Sequence, residues 1–101
     1  MAENYAVLAA EWWTNLVRDS NSSLTRDQLD KFKHLLTRKL RQLIASKGIL
    51  CISTYERMND FLYNTAYEAG VPIDFPKGYE MKILVDNVRV YNSHGHLIAN
   101  L

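Results

Sequence analysis

Through the first half of the chain, apolar positions recur at steps of three and four, the spacing of helices buried along one side. From Glu3 to Arg18, Tyr5, Leu8, Trp12 and Leu16 keep that step while Asn4, Glu11, Asn15 and Arg18 fall opposite. The run DSNSS, Asp19 to Ser23, predicts a turn. Thr25 with Gln28 forms a capping-box pattern and opens a second helix, continued by Leu29, Phe32, Leu36, Leu40 and Leu43. Lys47 and Gly48 end it with a cation in the last turn and glycine just beyond. These two helices predict an antiparallel hairpin. Ile49 to Ile52, ILCI, then reads as a short buried strand. Ser53 with Glu56 repeats the capping box, predicting a third helix from Thr54 to Ala69 with Met58, Phe61, Leu62, Thr65 and Ala69 on one face. Gly70 and Pro72 stop it, and PIDFPKGY is loop. In EMKILVDNVRVYN, Met81, Ile83 and Val85 alternate with polar or outward positions, as do Val88 and Val90. A two-residue turn at Asp86-Asn87 would set Val85 against Val88 and Ile83 against Val90. The order ααβαββ (helical hairpin, short strand, third helix, C-terminal β-hairpin) is an α+β fold, a small sheet covered by helices.

The totals refine this picture modestly. A chain of 101 residues is one domain, 1–101, and 48% hydrophobic with 23% charged residues is the balance of a folded globular protein. Twelve basic against eleven acidic side chains leave a formal charge of +1, less than a protein that coats DNA carries. Cys51 is the only cysteine, which excludes an intramolecular disulfide and suits a reducing compartment. No apolar run reaches the roughly 20 residues that span a bilayer. MAENYAV places no basic stretch before an apolar core, so no secretory signal is expected and the predicted location is cytoplasmic.

Residues with chemistry are few. In SHGHL, His94 and His96 sit two apart, a spacing that on a strand points both rings one way. Two ligands do not make a metal site, and the competing reading is a pair of surface loop residues. Cys51, inside ILCI, is expected to be a buried and inert thiol. Acid pairs, glycine-rich phosphate loops, nucleophile elbows and CxxC motifs are missing from the sequence, so neither catalysis, cofactor nor metal is expected. On the second helix, Lys31, His34, Arg38 and Arg41 form a basic stripe opposite the leucines, a spacing able to follow a nucleic-acid backbone. Asp27 and Asp30 share that face and are placed to pair with Lys31 and His34, which would make it an ordinary solvated face. Tyr63 and Tyr67, four apart on the third helix and away from its core line, are candidates for partner contact.

Two adjacent tryptophans pose the sharpest question. Tyr5, Leu8, Ala9, Trp12 and Leu16 occupy one arc of the first helix, and Ala2, Ala6, Ala10, Trp13 and Val17 the neighbouring one. Together they make an apolar sector roughly 200° wide, against the roughly 100° stripe one core requires. Either both arcs are used inside the chain, or one meets a second copy. The expectation carried forward puts Trp12 in the core, with Trp13 and Val17 at the interface of a homo-oligomer, most simply a two-fold dimer.

AEWW near the start, the leucine-rich second helix, the Y…A…AG pattern of the third and FP before the hairpin resemble, together, small bacteriophage and prophage proteins of low-GC Gram-positive bacteria. Those proteins carry a Gly-Tyr-Gly-like segment after the last hairpin strand, where this chain has Ser93-His94-Gly95-His96. The resemblance implies a non-enzymatic binding protein acting in the host cytoplasm as an anti-defence factor. Its partner would be a host defence protein such as a CRISPR-type effector, or a signalling nucleotide. Trp13, Val17, Tyr63, Tyr67, Arg38 and Arg41 are the candidate partner-binding residues. The alternative is a nucleic-acid-binding accessory module using the basic face of the second helix.

Overall fold

The computed structural model describes residues 2–20, 23–54, 60–71, 78–84 and 87–101, with side chains described from Tyr5 and, in the third helix, from Phe61. Three helices and four strands follow in the order α1 (Ala2–Ser20), α2 (Arg26–Lys47), β1 (Leu50–Ser53), α3 (Asp60–Glu68), β2 (Glu80–Ile83), β3 (Val88–Tyr91) and β4 (Leu97–Asn100). The strands form one antiparallel sheet in the order β1-β2-β3-β4. This is the expected α+β fold with one strand more than expected.

The start of α2 is capped as its sequence dictates. The Thr25 hydroxyl accepts from the Gln28 amide at 3.2 Å, and the Gln28 side chain accepts from the Thr25 amide at 2.9 Å. At the other end Gly48, with φ +80°, donates its N–H to the Ile44 carbonyl at 2.8 Å. Leu29, Phe32, Leu36, Leu40 and Ile44 form the buried line of α2, while Leu43 is only half-buried.

Alternation along the strands sorts the sheet into two faces. Leu50, Ile52, Met81, Ile83, Val88 and Val90 point inward and are buried with residues of all three helices in one core. Cys51, Lys82 and Arg89, paired across β1, β2 and β3, point the other way and are exposed. Cys51 is therefore not a buried thiol: the alternation that buries Leu50 and Ile52 turns it outward.

Both tryptophans pack in this one core, and Trp13, not Trp12, lies deeper. Ala6, Ala10, Trp13 and Val17 are fully buried, whereas Trp12 is half-buried. The small residues of the Trp13 arc admit close approach, and that arc meets the chain's own α2 and sheet rather than a partner. Trp12 packs edge-on against Trp13, ring centres 4.9 Å apart, and against Tyr79 at 5.6 Å. Trp13 and Val17 are thus withdrawn as partner-binding residues.

Two further expectations change, and part of a third lies outside the described residues. Ser53 lies in β1 and Thr54 is not yet helical, since Thr54 ties the strand end to the start of β2, while the expected capping partner Glu56 lies outside the described residues. The Thr54 amide donates to the Tyr79 carbonyl at 2.8 Å, its carbonyl accepts from Gly78 at 2.9 Å, and its hydroxyl accepts from the Tyr79 amide at 3.2 Å. The described part of the third helix begins at Asp60; Glu56, Met58 and Pro72 lie outside the described residues. In the hairpin, Ile83 faces Val88 and Met81 faces Val90, and the Leu84 amide donates to the Asn87 carbonyl. The pairing is displaced by two positions from the expected one, an even step that leaves the same residues on the apolar face. Val85 and Asp86 lie outside the described residues.

Strand β4 was not expected. It is short, its Leu97 and Ile98 are exposed, and a bulge opposite Val90 and Tyr91 interrupts its alternation. Gly78 buttresses the turn before it: with φ +95°, a Cβ at Gly78 would lie 3.1 Å from the Ser93 Cβ. Gly78→Ala is therefore expected to destabilise the fold by about 1–2 kcal/mol through backbone strain, with crowding in addition. Urea denaturation measures it, and Ser93→Gly in the same chain should recover only the crowding part.

Candidate functional site

The basic stripe of α2 survives as a surface. Lys31, His34, Arg38 and Arg41 are all exposed, on the side of the helix away from its buried line. Two adjoining depressions open along it. One, of about 690 Å³, is lined by Lys31, His34, Leu35 and Arg38 of α2 with Glu68 and Ala69 at the end of α3. The other, of about 410 Å³, is lined by Val7 of α1 with Lys33, His34, Thr37, Arg38 and Arg41. His34 and Arg38 border both and form the ridge between them.

The ion pairs divide the cations into two groups. Lys31 lies 3.6 Å from Asp27, Lys33 lies 3.3 Å from Glu11, and Lys39 lies 2.7 Å from Glu68. Glu68, the one carboxylate among the described residues lining the larger depression, is thereby balanced by Lys39. Among the described residues, no carboxylate lies within pairing distance of Arg38, Arg41 or His34. Asp30 thus does not pair with His34, as the four-residue spacing had suggested. Two guanidinium groups one helical turn apart, without carboxylate partners among the described residues, offer forked donors suited to phosphate oxygens.

The tyrosines separate. Tyr67 is 86% exposed and follows Ala66, next to Glu68 of the larger depression, while Tyr63 is half-buried against the core. The second surface, missed in the sequence, is the uncovered sheet face. There Lys82 stands over the Tyr91 ring at 5.4 Å and lies 3.9 Å from Glu80. Strict alternation in EMKI and VRVY was the signal that could have found it. Cys51 Sγ donates to Glu80 at 3.7 Å. Partial burial, then the Glu80 charge and hydrogen bond, push the thiol up from its ordinary value against the pull of Lys82. The thiolate, the nucleophilic form, is disfavoured.

Among the described residues no three His, Cys, Asp or Glu side chains gather to hold a metal ion within one chain, and no helix is long and apolar enough to cross a membrane. No protein-family model matches the chain, and no curated protein is similar to it.

Proposed function

We propose that the protein is a non-enzymatic binding module that holds a phosphate-bearing ligand on the exposed face of α2. The observation that carries this reading is the pairing of Arg38 and Arg41, one turn apart, exposed and without carboxylate partners among the described residues. Lys31 to Arg41 spans about 15 Å at the helical rise, long enough to follow several phosphates of one strand. Both depressions are open to solvent, which suits a polynucleotide backbone lying across them. A second reading rests on Tyr67, exposed and one residue before Glu68 of the larger depression: it would stack on a base while Arg38 holds a phosphate. In the phage setting that the sequence resembles, this would be an anti-defence factor sequestering a signalling nucleotide. Inhibition of a protein effector has less support, since its two apolar anchors, Trp13 and Val17, are buried.

Fluorescence anisotropy with short single-stranded DNA and RNA, and with cyclic dinucleotides, tests the proposal. Oligonucleotide affinity should fall steeply with salt, and Arg38→Ala with Arg41→Ala should lower the log–log salt slope by about 1.4. Tighter binding of a dinucleotide than of any oligonucleotide selects the second reading. No binding at low ionic strength, or binding indifferent to the double substitution, rejects both.

A further inference from the structure

The turn between β3 and β4 is wired around one side chain. Asn92 Oδ1 accepts from the amides of both His94 and His96 at 3.0 Å, the Asn92 amide donates to the His96 carbonyl at 3.0 Å, and Gly95 donates to the Asn92 carbonyl. Gly95, with φ +78°, lets the chain reverse between the two histidines. The result fixes the backbone of two exposed imidazoles whose ring centres lie 6.2 Å apart, inclined at 43°. Among the described residues neither ring has a hydrogen-bond or ion-pair partner. Two imidazoles sharing one tetrahedral metal ion, with metal–nitrogen distances of about 2.1 Å, have ring centres about 5–5.6 Å apart. The observed spacing of 6.2 Å is wider than that, and a change of under about 1.2 Å, within reach of side-chain rotation in two exposed rings, would close it.

We propose that His94 and His96 are half of a tetrahedral site for a divalent transition cation such as zinc, completed by the same two residues of a second copy. Two observations and a symmetry argument favour a second copy. One chain offers two ligands where a closed tetrahedral site takes four, and no third ligand joins them among the described residues. A two-fold axis through the ion supplies the other two without any further residue type. Leu97 and Ile98, 51% and 46% exposed, follow His96 directly, and β4 carries no charge to hold two copies apart. Natural edge strands are commonly guarded by charges, proline or bulges. Here the bulge near Ile98 disfavours strand-to-strand pairing, so the contact runs from turn to turn and covers the two apolar side chains.

The test is a zinc titration of the whole chain in metal-free buffer, followed by light scattering and calorimetry. Expected are one zinc per two chains, a change from monomer to dimer, and reversal by a chelator. His94→Ala and His96→Ala should each abolish zinc-dependent association, while circular dichroism stays unchanged because both side chains are exposed. Ile98→Lys should weaken the dimer at least tenfold with all four ligands retained. Cobalt in place of zinc should give the intense visible bands of tetrahedral coordination. No zinc uptake, one zinc per monomer without association, or a dimer indifferent to both histidine substitutions would overturn the proposal.

Discussion

Trp13→Ala is expected to leave little folded protein at moderate temperature, whereas Trp12→Ala should remain folded. Trp13 is fully buried and shares the inner arc of α1 with Ala6, Ala10 and Val17, which are too small to close over the space an indole leaves. Truncating a large core aromatic costs about 3–5 kcal/mol, a major part of the roughly 5–15 kcal/mol that holds a domain together. Trp12 is half-buried and loses mainly its edge contacts with Trp13 and Tyr79, so about 1–2 kcal/mol is expected. Trp13→Phe separates volume from polarity. The Trp13 Nε1–H is buried without a hydrogen-bond acceptor among the described residues, and an unsatisfied buried donor costs about 1–3 kcal/mol. Removing that donor offsets part of the lost volume, so Phe should be far milder than Ala. Chemical denaturation of the three variants gives the order. A folded Trp13→Ala chain that merely dissociates would return this residue to an interface.

What could be read from the chain was whatever periodicity over many residues determines. In helix α2 the capping box, the terminal glycine and four of the five expected apolar positions hold, the fifth moving from Leu43 to its neighbour Ile44. The inward face of the sheet was equally legible, because Met81, Ile83, Val88 and Val90 stay on one side under either pairing. The choice between the two arcs of α1 was not legible. Trp12 and Trp13 are equally apolar, and which arc lies deeper depends on where the sheet sits, a matter of tertiary packing. Strand β4 escaped because LIAN is short, carries no alternation and draws its stability from pairing with β3. The basic stripe was visible, but its meaning depended on pairing. Spacing allowed Asp30 to neutralise His34, and only the side-chain placement leaves Arg38 and Arg41 without carboxylates among the described residues.

Adjacent residues of β3 give the most severe expected contrast. Val90 is fully buried on the central part of the sheet, between Met81 on β2 and Ala99 on β4, whereas its neighbour Arg89 is exposed on the opposite face between Lys82 and Asn100. Both lie in one strand, so differences in strand propensity and loop closure largely cancel when each is replaced by aspartate. Val90→Asp removes an apolar contact and places a carboxylate where none of the paired neighbours can hydrogen-bond it. The charge must be neutralised or exposed at a cost of several kcal/mol, enough with the lost packing to abolish folding at neutral pH. Arg89→Asp keeps its side chain in solvent and faces the Lys82 ammonium, so its stability should stay within about 1 kcal/mol of the parent. Acid should help only the first variant. A buried carboxyl has a folded-state pKa above its unfolded value, so the penalty grows as pH rises through the ordinary carboxylate range and eases as pH falls below it. Circular dichroism from neutral pH to about pH 4 reads both effects. A Val90→Asp chain as stable as Arg89→Asp at neutral pH would mean that the helices do not cover this face of the sheet.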